Sequence, residues 1–191
     1  MSSVLATLRD EAAAWCRGKN GWVRLPFLLA FVAYVAKIMI KPTCCNFFAP
    51  LNLVFHEAGH ALFSYFGHFL YMLGGTLLEC LMPFFLAFHF YRQREFFGIA
   101  LCFGWLATVL SGVATYCGDA RAMELPLVTV FGGGGEPGHD WNYLLGKMGV
   151  LRYDLEVAFL IRSLGIFSLT TCLGSGVWLI GRMVSSQKDD S

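Results

Sequence analysis

Two histidines and a glutamate form an HExxH pattern at positions 56–60, where the sequence is HEAGH. The pattern lies within a segment from Leu51 to Leu73 that is almost uninterrupted in its apolar character. On an α-helix, residues four apart share a face, so His56 and His60 can bind the same metal ion. Glu57 is then placed to take a proton from a water molecule on that ion. The spacing predicts a water-activating zinc site inside a membrane.

Three ionisable residues, His56, Glu57 and His60, lie within an apolar segment, and placing such residues in a membrane costs free energy. A charged side chain near the middle of a bilayer costs roughly 2.5–3.5 kcal/mol even on insertion scales, so such residues are by default candidates for a functional site. HExxH also arises by chance, and His56, Glu57 and His60 would then be polar groups satisfied inside a structural bundle. The cost in the membrane favours the metal site.

A catalytic zinc ion normally has three protein ligands, so a third residue must come from elsewhere in the chain. Asp140 is the leading candidate, because it follows the glycine run 132–135, which could let the backbone return to the HExxH helix. A carboxylate oxygen suits zinc beside two imidazoles. The alternative for this segment is an ordinary polar turn, since its glycines and proline are typical of turns.

Three other polar residues are candidates near this site. Glu79 interrupts the third apolar span. Its spacing from His60 along the sequence is close to the spacing at which thermolysin-like enzymes supply a glutamate ligand. If Asp140 is the ligand, Glu79 is expected to form hydrogen bonds near the site. His139 would be the extra ligand of a closed, structural site with four ligands. Asn142 could donate a hydrogen bond to the backbone of a substrate.

The composition is that of an integral membrane protein. Of the 191 residues, 57% are hydrophobic and only 14% are charged, far from the composition of soluble proteins. The formal net charge is +1, and no long basic run suggests nucleic acid as a partner. The seven cysteines form no CxxC pair, which argues against a disulfide framework. We expect a multi-pass protein of the cell (inner) membrane, in contact with the lipid bilayer.

The hydropathy pattern predicts an all-α membrane protein with about five transmembrane helices, judged against the roughly 20 apolar residues that cross a bilayer. The predicted spans are 25–41, 48–73, 76–91, 96–117 and 157–181. Gly74 and Gly75 would join the second and third spans in a tight hairpin. A segment around 122–145 could dip into the membrane as a re-entrant stretch. Residues 1–24 are expected to form an amphipathic interfacial segment, 25–184 one integral-membrane metalloprotease domain, and 185–191 a polar tail.

The HEAGH sequence in an apolar segment, the following Gly74-Gly75-Thr76 and the distant Asp140 together resemble the site-2 protease family of intramembrane zinc metalloproteases. The resemblance covers about residues 47–145 and is most specific at HEAGH. It implies zinc ligation by His56, His60 and Asp140, and general acid/base catalysis by Glu57. The family's aspartate usually lies in Asn-Pro-Asp-Gly or Leu-Asp-Gly, whereas here the sequence is His-Asp-Trp-Asn. No segment is long enough for a PDZ or CBS regulatory domain.

The expected function is therefore a zinc-dependent endopeptidase that hydrolyses peptide bonds of membrane-embedded peptide or protein substrates. Substrate selection would come from the membrane part itself, from an accessory membrane protein or from a homo-oligomer. The alternative is a zinc-binding membrane protein without proteolysis, such as a metal carrier or a subunit with a structural metal. That alternative predicts a closed four-ligand site, whereas an enzyme keeps one position open.

Overall fold

A computed structural model describes residues 2–41, 46–126 and 138–189, and these residues form seven α-helices and two short 3-10 turns, with no strand among them. The 3-10 turns are Ser64–Phe66 and Leu151–Tyr153. The helices are α1 (Ser2–Trp15), α2 (Gly21–Ile40), α3 (Ala49–Phe63), α4 (His68–Arg92), α5 (Phe96–Gly118), α6 (Asp140–Lys147) and α7 (Asp154–Asp189).

Within the described ranges, four helical segments are long and apolar enough to cross a membrane: Gly21–Ile40, His68–Arg92, Phe96–Gly118 and Leu151–Gln187. The predicted all-α membrane fold is therefore confirmed, with four such segments in place of the five expected. The difference is α3, which carries HEAGH. It has 15 residues, and at a rise of about 1.5 Å per residue it is roughly 22 Å long, shorter than the hydrocarbon layer of about 30 Å.

The prediction of one span over 48–73 and a hairpin at Gly74-Gly75 is wrong. Helix α3 ends at Phe63, and the chain turns through Ser64–Phe66 and Gly67 before α4 begins. Gly67 has φ of +90°, a conformation that a residue with a Cβ rarely adopts, so this glycine is where the helix breaks. Hydropathy does not reveal the break, because the segment from Leu51 to Leu73 is largely apolar on both sides of it.

Gly74 and Gly75 instead lie inside α4, where they allow α3 and α4 to pack closely. A Cβ atom on Gly59 would collide with the Gly74 carbonyl oxygen, and one on Gly74 would lie 2.8 Å from the Gly59 carbonyl oxygen. Small residues at such contacts let two backbones approach, as is common between membrane helices. The glycine pair therefore positions the HEAGH helix against its neighbour.

Helix α5 is the centre of the bundle and packs against α2, α4 and α7. Its indole Trp105 donates from Nε1 to Asn52 Oδ1 of α3 at 2.8 Å, and its ring stacks on Phe48 with centroids 6.3 Å apart. Asn52 lies one helical turn before His56. These contacts fix the start of the HEAGH helix against the most buried helix of the bundle.

At the two ends of the chain the helices extend beyond the predicted membrane spans. Helix α1 packs against the bundle through buried Ala12 and Cys16, and Glu11 forms an ion pair with Arg94 at 2.5 Å. Helix α2 begins at Gly21, before the predicted start at 25, and α7 continues to Asp189 through most of the predicted polar tail. Of the predicted re-entrant segment around 122–145, residues 127–137 lie outside the described part of the chain.

Candidate metal centre

The two histidines of α3 point to a common position, as their spacing predicts. The Nε2 atoms of His56 and His60 are 3.1 Å apart, and the two rings meet edge to face with centroids 4.7 Å apart. His60 is 9% exposed, so the pair lies inside the bundle. The i, i+4 geometry of one helix is sufficient to bring the two ring nitrogens together.

Helix α6 brings Asp140 to the same position from a distant part of the sequence. Asp140 Oδ2 lies 2.9 Å from His56 Nε2 and 3.2 Å from His60 Nε2, and the residue is 5% exposed. Ligands about 2.0–2.1 Å from a tetrahedral zinc ion are roughly 3.4 Å apart, so these separations are close to those of a metal site. His56, His60 and Asp140 form a group that could hold a metal ion.

Each histidine is oriented by a hydrogen bond from its other ring nitrogen. His60 Nδ1 donates to the Tyr71 carbonyl oxygen at 2.7 Å, and His56 Nδ1 lies 3.3 Å from Glu79 Oε2. A carbonyl oxygen can only accept, so Nδ1 of His60 carries a hydrogen, and in the neutral ring Nε2 then has the lone pair that binds a metal ion. Metal-binding histidines are usually fixed in this way by a carbonyl or a carboxylate.

Glu79 therefore lies on the opposite side of the His56 ring from Asp140. Its carboxylate contacts Nδ1, whereas both histidines present Nε2 to Asp140. Of the two rivals for the third ligand, the structure brings Asp140 to the common position and leaves Glu79 behind the ring. Glu79 is 9% exposed and makes the hydrogen bond expected of it if Asp140 is the ligand.

A glycine of α4 leaves room directly beside the two ring nitrogens. A Cβ atom on Gly75 would lie 2.7 Å from both His56 Nε2 and His60 Nε2. A methyl group there would occupy the approach to the lone pairs that a metal ion needs. The absence of a side chain at position 75 thus fits an ion bound by these nitrogens.

Glu57 faces a cavity of about 640 Å³ next to the three candidate ligands. Within the described part of the chain its carboxylate accepts no hydrogen bond, so its oxygens are available to water or to a substrate. The cavity is lined by residues from α3, α4, α5 and α6 and from the segments at 46, 125–126 and 138. The lining from α5 is Thr108, Gly112, Val113 and Tyr116.

Helix α6 is held in place by the end of α5 and the turn that follows it. Asp140 N donates to the Tyr116 hydroxyl at 3.1 Å, and Asn142 Nδ2 donates to the Ala120 carbonyl oxygen at 2.8 Å. The same turn is anchored by Arg121, whose Nε lies 2.7 Å from Oδ1 of the buried Asp154. These bonds connect the end of α5, the start of α6 and the start of α7 around the Asp140 carboxylate.

His139 is directed away from the two other histidines. Its Nδ1 accepts from Asn142 N at 3.2 Å, which caps α6, and its Nε2 lies 3.5 Å from Asp119 Oδ2. The structure thus does not bring His139 into the candidate ligand group as an extra ligand. The side chain of Asn142 bonds to Ala120, and its predicted contact with a substrate stays a prediction.

Burial and nearby charged groups act differently on the pKa values of Asp140, the first residue of α6, and His139, the residue before it. Burial alone would raise the pKa of the Asp140 carboxyl, but hydrogen bonds with His56 and His60 lower it below its usual value. Burial lowers the pKa of His139, although the Asp119 carboxylate acts in the opposite direction. These shifts favour the charged form of Asp140, which a metal ligand requires, and the neutral form of His139.

Sequence reasoning named Glu79 near the site but missed Tyr71 and Gly75 on α4 and Tyr116 on α5, although the spacing along α4 carries a signal. Tyr71, Gly75 and Glu79 are four apart in α4: Tyr71 contacts His60, Glu79 contacts His56, and Gly75 lies beside both rings. Once Glu79 is placed beside His56, the helical repeat assigns Gly75 and Tyr71 to the same face.

Compared with protein-family models, with curated proteins and with solved structures, the chain shows no match.

Proposed function

We propose that this protein is an intramembrane zinc-dependent endopeptidase, acting on membrane-embedded peptides or proteins in the cell's inner membrane. The observation that carries the proposal is the position of Glu57. Its carboxylate, which has no hydrogen-bond partner among the described residues, faces a cavity of about 640 Å³ directly beside the convergent atoms of His56, His60 and Asp140. A base, a metal-binding group and space for a substrate then occur together in a bundle whose helices can cross a membrane.

The donor set suits zinc, because two imidazole nitrogens and one carboxylate oxygen are a usual combination of ligands for catalytic zinc. When bound, zinc lowers the pKa of water and polarises a carbonyl group. Glu57 takes the proton of the attacking water and then delivers it to the nitrogen of the leaving amine. His60 and His56 keep Nε2 free for the metal, because Nδ1 is engaged by the Tyr71 carbonyl in one case and by Glu79 in the other.

A peptide substrate must present an accessible carbonyl carbon to this cavity. In a helix the backbone carbonyls are engaged in hydrogen bonds, so a transmembrane substrate has to unwind locally before it is cleaved. The cavity offers both kinds of lining that an unwound segment needs: apolar Leu53 and Val113 for side chains, and polar Thr76, whose Oγ1 has no hydrogen-bond partner among the described residues, for a freed backbone group. The resemblance of HEAGH and Asp140 to site-2 proteases supports the same activity.

A non-proteolytic zinc protein is the second candidate function, and the position of His139 bears on the choice. A structural site is closed by four protein ligands, whereas a catalytic site keeps a position for water. The described residues supply a group of three, and His139 faces Asp119. An open fourth position beside Glu57 favours the enzyme.

The proposal is tested with detergent-purified native protein and the Glu57→Gln variant, each supplied with one equivalent of zinc. Both are incubated with a panel of single-span model peptides, and the products are identified by mass spectrometry. We expect cleavage within the apolar segment by the native protein only, because glutamine cannot accept the proton of water. Equal zinc content in the two proteins serves as the control. Zinc binding without Glu57-dependent cleavage of any peptide would favour the non-proteolytic protein.

A further inference from the structure

Tyr116 ends a row of residues along the cavity wall formed by α5. Thr108, Gly112 and Tyr116 are four residues apart, so they share one face of that helix, and all three line the cavity. The Tyr116 ring lies beside His56, with centroids 6.2 Å apart, and against His139, with centroids 4.2 Å apart. The phenol is therefore fixed between a candidate ligand and the start of α6.

The hydrogen bond that Tyr116 makes leaves its own proton unused. A phenol has one hydrogen to donate and also accepts hydrogen bonds. The Tyr116 oxygen accepts from Asp140 N at 3.1 Å, and within residues 46–126 and 138–189 its hydroxyl donates to no acceptor. The bond to Asp140 fixes the oxygen atom at the edge of the site. A positioned donor thus lies at the cavity wall, on an oxygen atom 3.1 Å from the backbone nitrogen of the candidate ligand Asp140.

Peptide hydrolysis creates a need for such a donor. When water attacks the carbonyl carbon, the C=O double bond becomes a single bond and negative charge collects on the carbonyl oxygen. A fixed donor beside that oxygen is worth more in the transition state than in the ground state. Resting on the proposed function, we propose that Tyr116 is a further catalytic residue, whose hydroxyl donates a hydrogen bond to the oxygen of the scissile carbonyl.

In this step Tyr116 keeps its proton, and its hydrogen bond to the carbonyl oxygen becomes stronger as negative charge develops there. The proton of the attacking water goes to Glu57, and the carbon–nitrogen bond breaks when Glu57 returns it to the amine.

Thr76 also lines the cavity, and its Oγ1 is buried without a hydrogen-bond partner in the described structure. Tyr116 is the stronger candidate, because its oxygen is held by the backbone of Asp140 and its ring lies beside His56.

The inference is tested with Tyr116→Phe, which removes the hydroxyl and keeps the ring. Tyr143→Phe is the matched control, since it removes a phenol hydroxyl from α6, the helix that carries Asp140. For each protein, zinc per chain is measured together with kcat and KM on the peptide cleaved best by the native protein. The third measurement is the Kd of a phosphinic peptide of the same sequence, whose tetrahedral anion resembles the transition state.

We expect Tyr116→Phe to keep its zinc and its KM, to lose about 10²-fold in kcat, and to bind the phosphinic peptide about tenfold or more weakly. Tyr143→Phe should match the native protein in all three. Loss of zinc from Tyr116→Phe would mean that the hydroxyl only holds Asp140, and native kcat or a change in KM alone would also overturn the inference. If the native protein cleaves none of the peptides, the proposed function itself fails; normal cleavage by Tyr116→Phe defeats this inference alone.

Discussion

The two halves of the candidate metal centre are built in different ways. His56, Glu57 and His60 belong to one helix, and the repeat of that helix alone brings the two Nε2 atoms to 3.1 Å. Asp140 is 84 residues from His56 in the sequence and arrives on the eight-residue helix α6. Its position depends on hydrogen bonds to the end of α5 and the turn after it.

This difference predicts how each half responds to change. The histidine half has little free space, because α4 packs closely against α3 and carries a glycine beside the ring nitrogens. The position of Asp140 depends on several separate hydrogen bonds, each of which contributes only about 0.5–1.5 kcal/mol. We therefore expect single changes near the histidines to have large effects, and single changes around α6 to have small ones.

Gly75→Ala should give the largest effect among the supporting residues. Its Cβ would lie 2.7 Å from the Nε2 atoms of both histidines, so we expect loss of stoichiometric zinc, measured by metal analysis. Gly112→Ala is the matched control: Gly112 lines the same cavity, but a Cβ there meets no atom within 4 Å. Circular dichroism and gel filtration check that both variants are folded. Native zinc content in folded Gly75→Ala would show that a Cβ atom at position 75 does not block zinc binding by the two histidines.

Glu79→Ala should weaken zinc binding less severely. The change removes the hydrogen-bond partner of His56 Nδ1 and leaves the three candidate ligands in place. Loss of such a partner typically costs 10–100-fold in metal affinity. Competition with a chelator of known affinity measures the change, and Glu95→Ala, at a partly exposed position before α5, is the control for removing a glutamate from the protein. A zinc affinity equal to that of the native protein would show that Glu79 does not help to hold His56 for metal binding.

Asn142→Ala should have the smallest effect, and it also tests the role first expected of this residue. The variant loses the 2.8 Å bond to the Ala120 carbonyl oxygen, which predicts about a 2–10-fold loss of zinc affinity through a less firmly held α6. A contact with substrate predicts instead a higher KM with unchanged zinc affinity. Chelator competition and peptide kinetics on the same preparation separate the two roles.

The sequence alone was enough to predict the local half of the site and the class of fold. An apolar chain can bury its backbone in a membrane only as helices or a closed barrel, and the i, i+4 spacing of His56 and His60 then determines their shared face. It was not enough to find the end of α3. The turn at Gly67 lies within a largely apolar segment, so hydropathy extends the helix past it. Gly74 and Gly75 look like a turn in the sequence, whereas in the structure they form a packing contact between α3 and α4.

The Asp140 half could be proposed from the sequence only as one of several choices. Its carboxylate and that of Glu79 are chemically equivalent as ligands, and their order along the chain does not say which side of His56 each will face. That choice depends on how α4 and α6 pack against α3. The residues that hold α6, including Tyr116 and Ala120, contribute a hydroxyl and a backbone carbonyl, which no motif in the sequence identifies.

The most direct test of the account is the zinc content of purified protein, compared between the native chain, Asp140→Ala and Glu124→Ala. Glu124 is an exposed acidic residue from the same connection between α5 and α6. The account predicts about one zinc ion per chain in the native protein and in Glu124→Ala, and far less in Asp140→Ala. It would be contradicted by native zinc content in Asp140→Ala, or by a native protein that binds no zinc even when zinc is supplied.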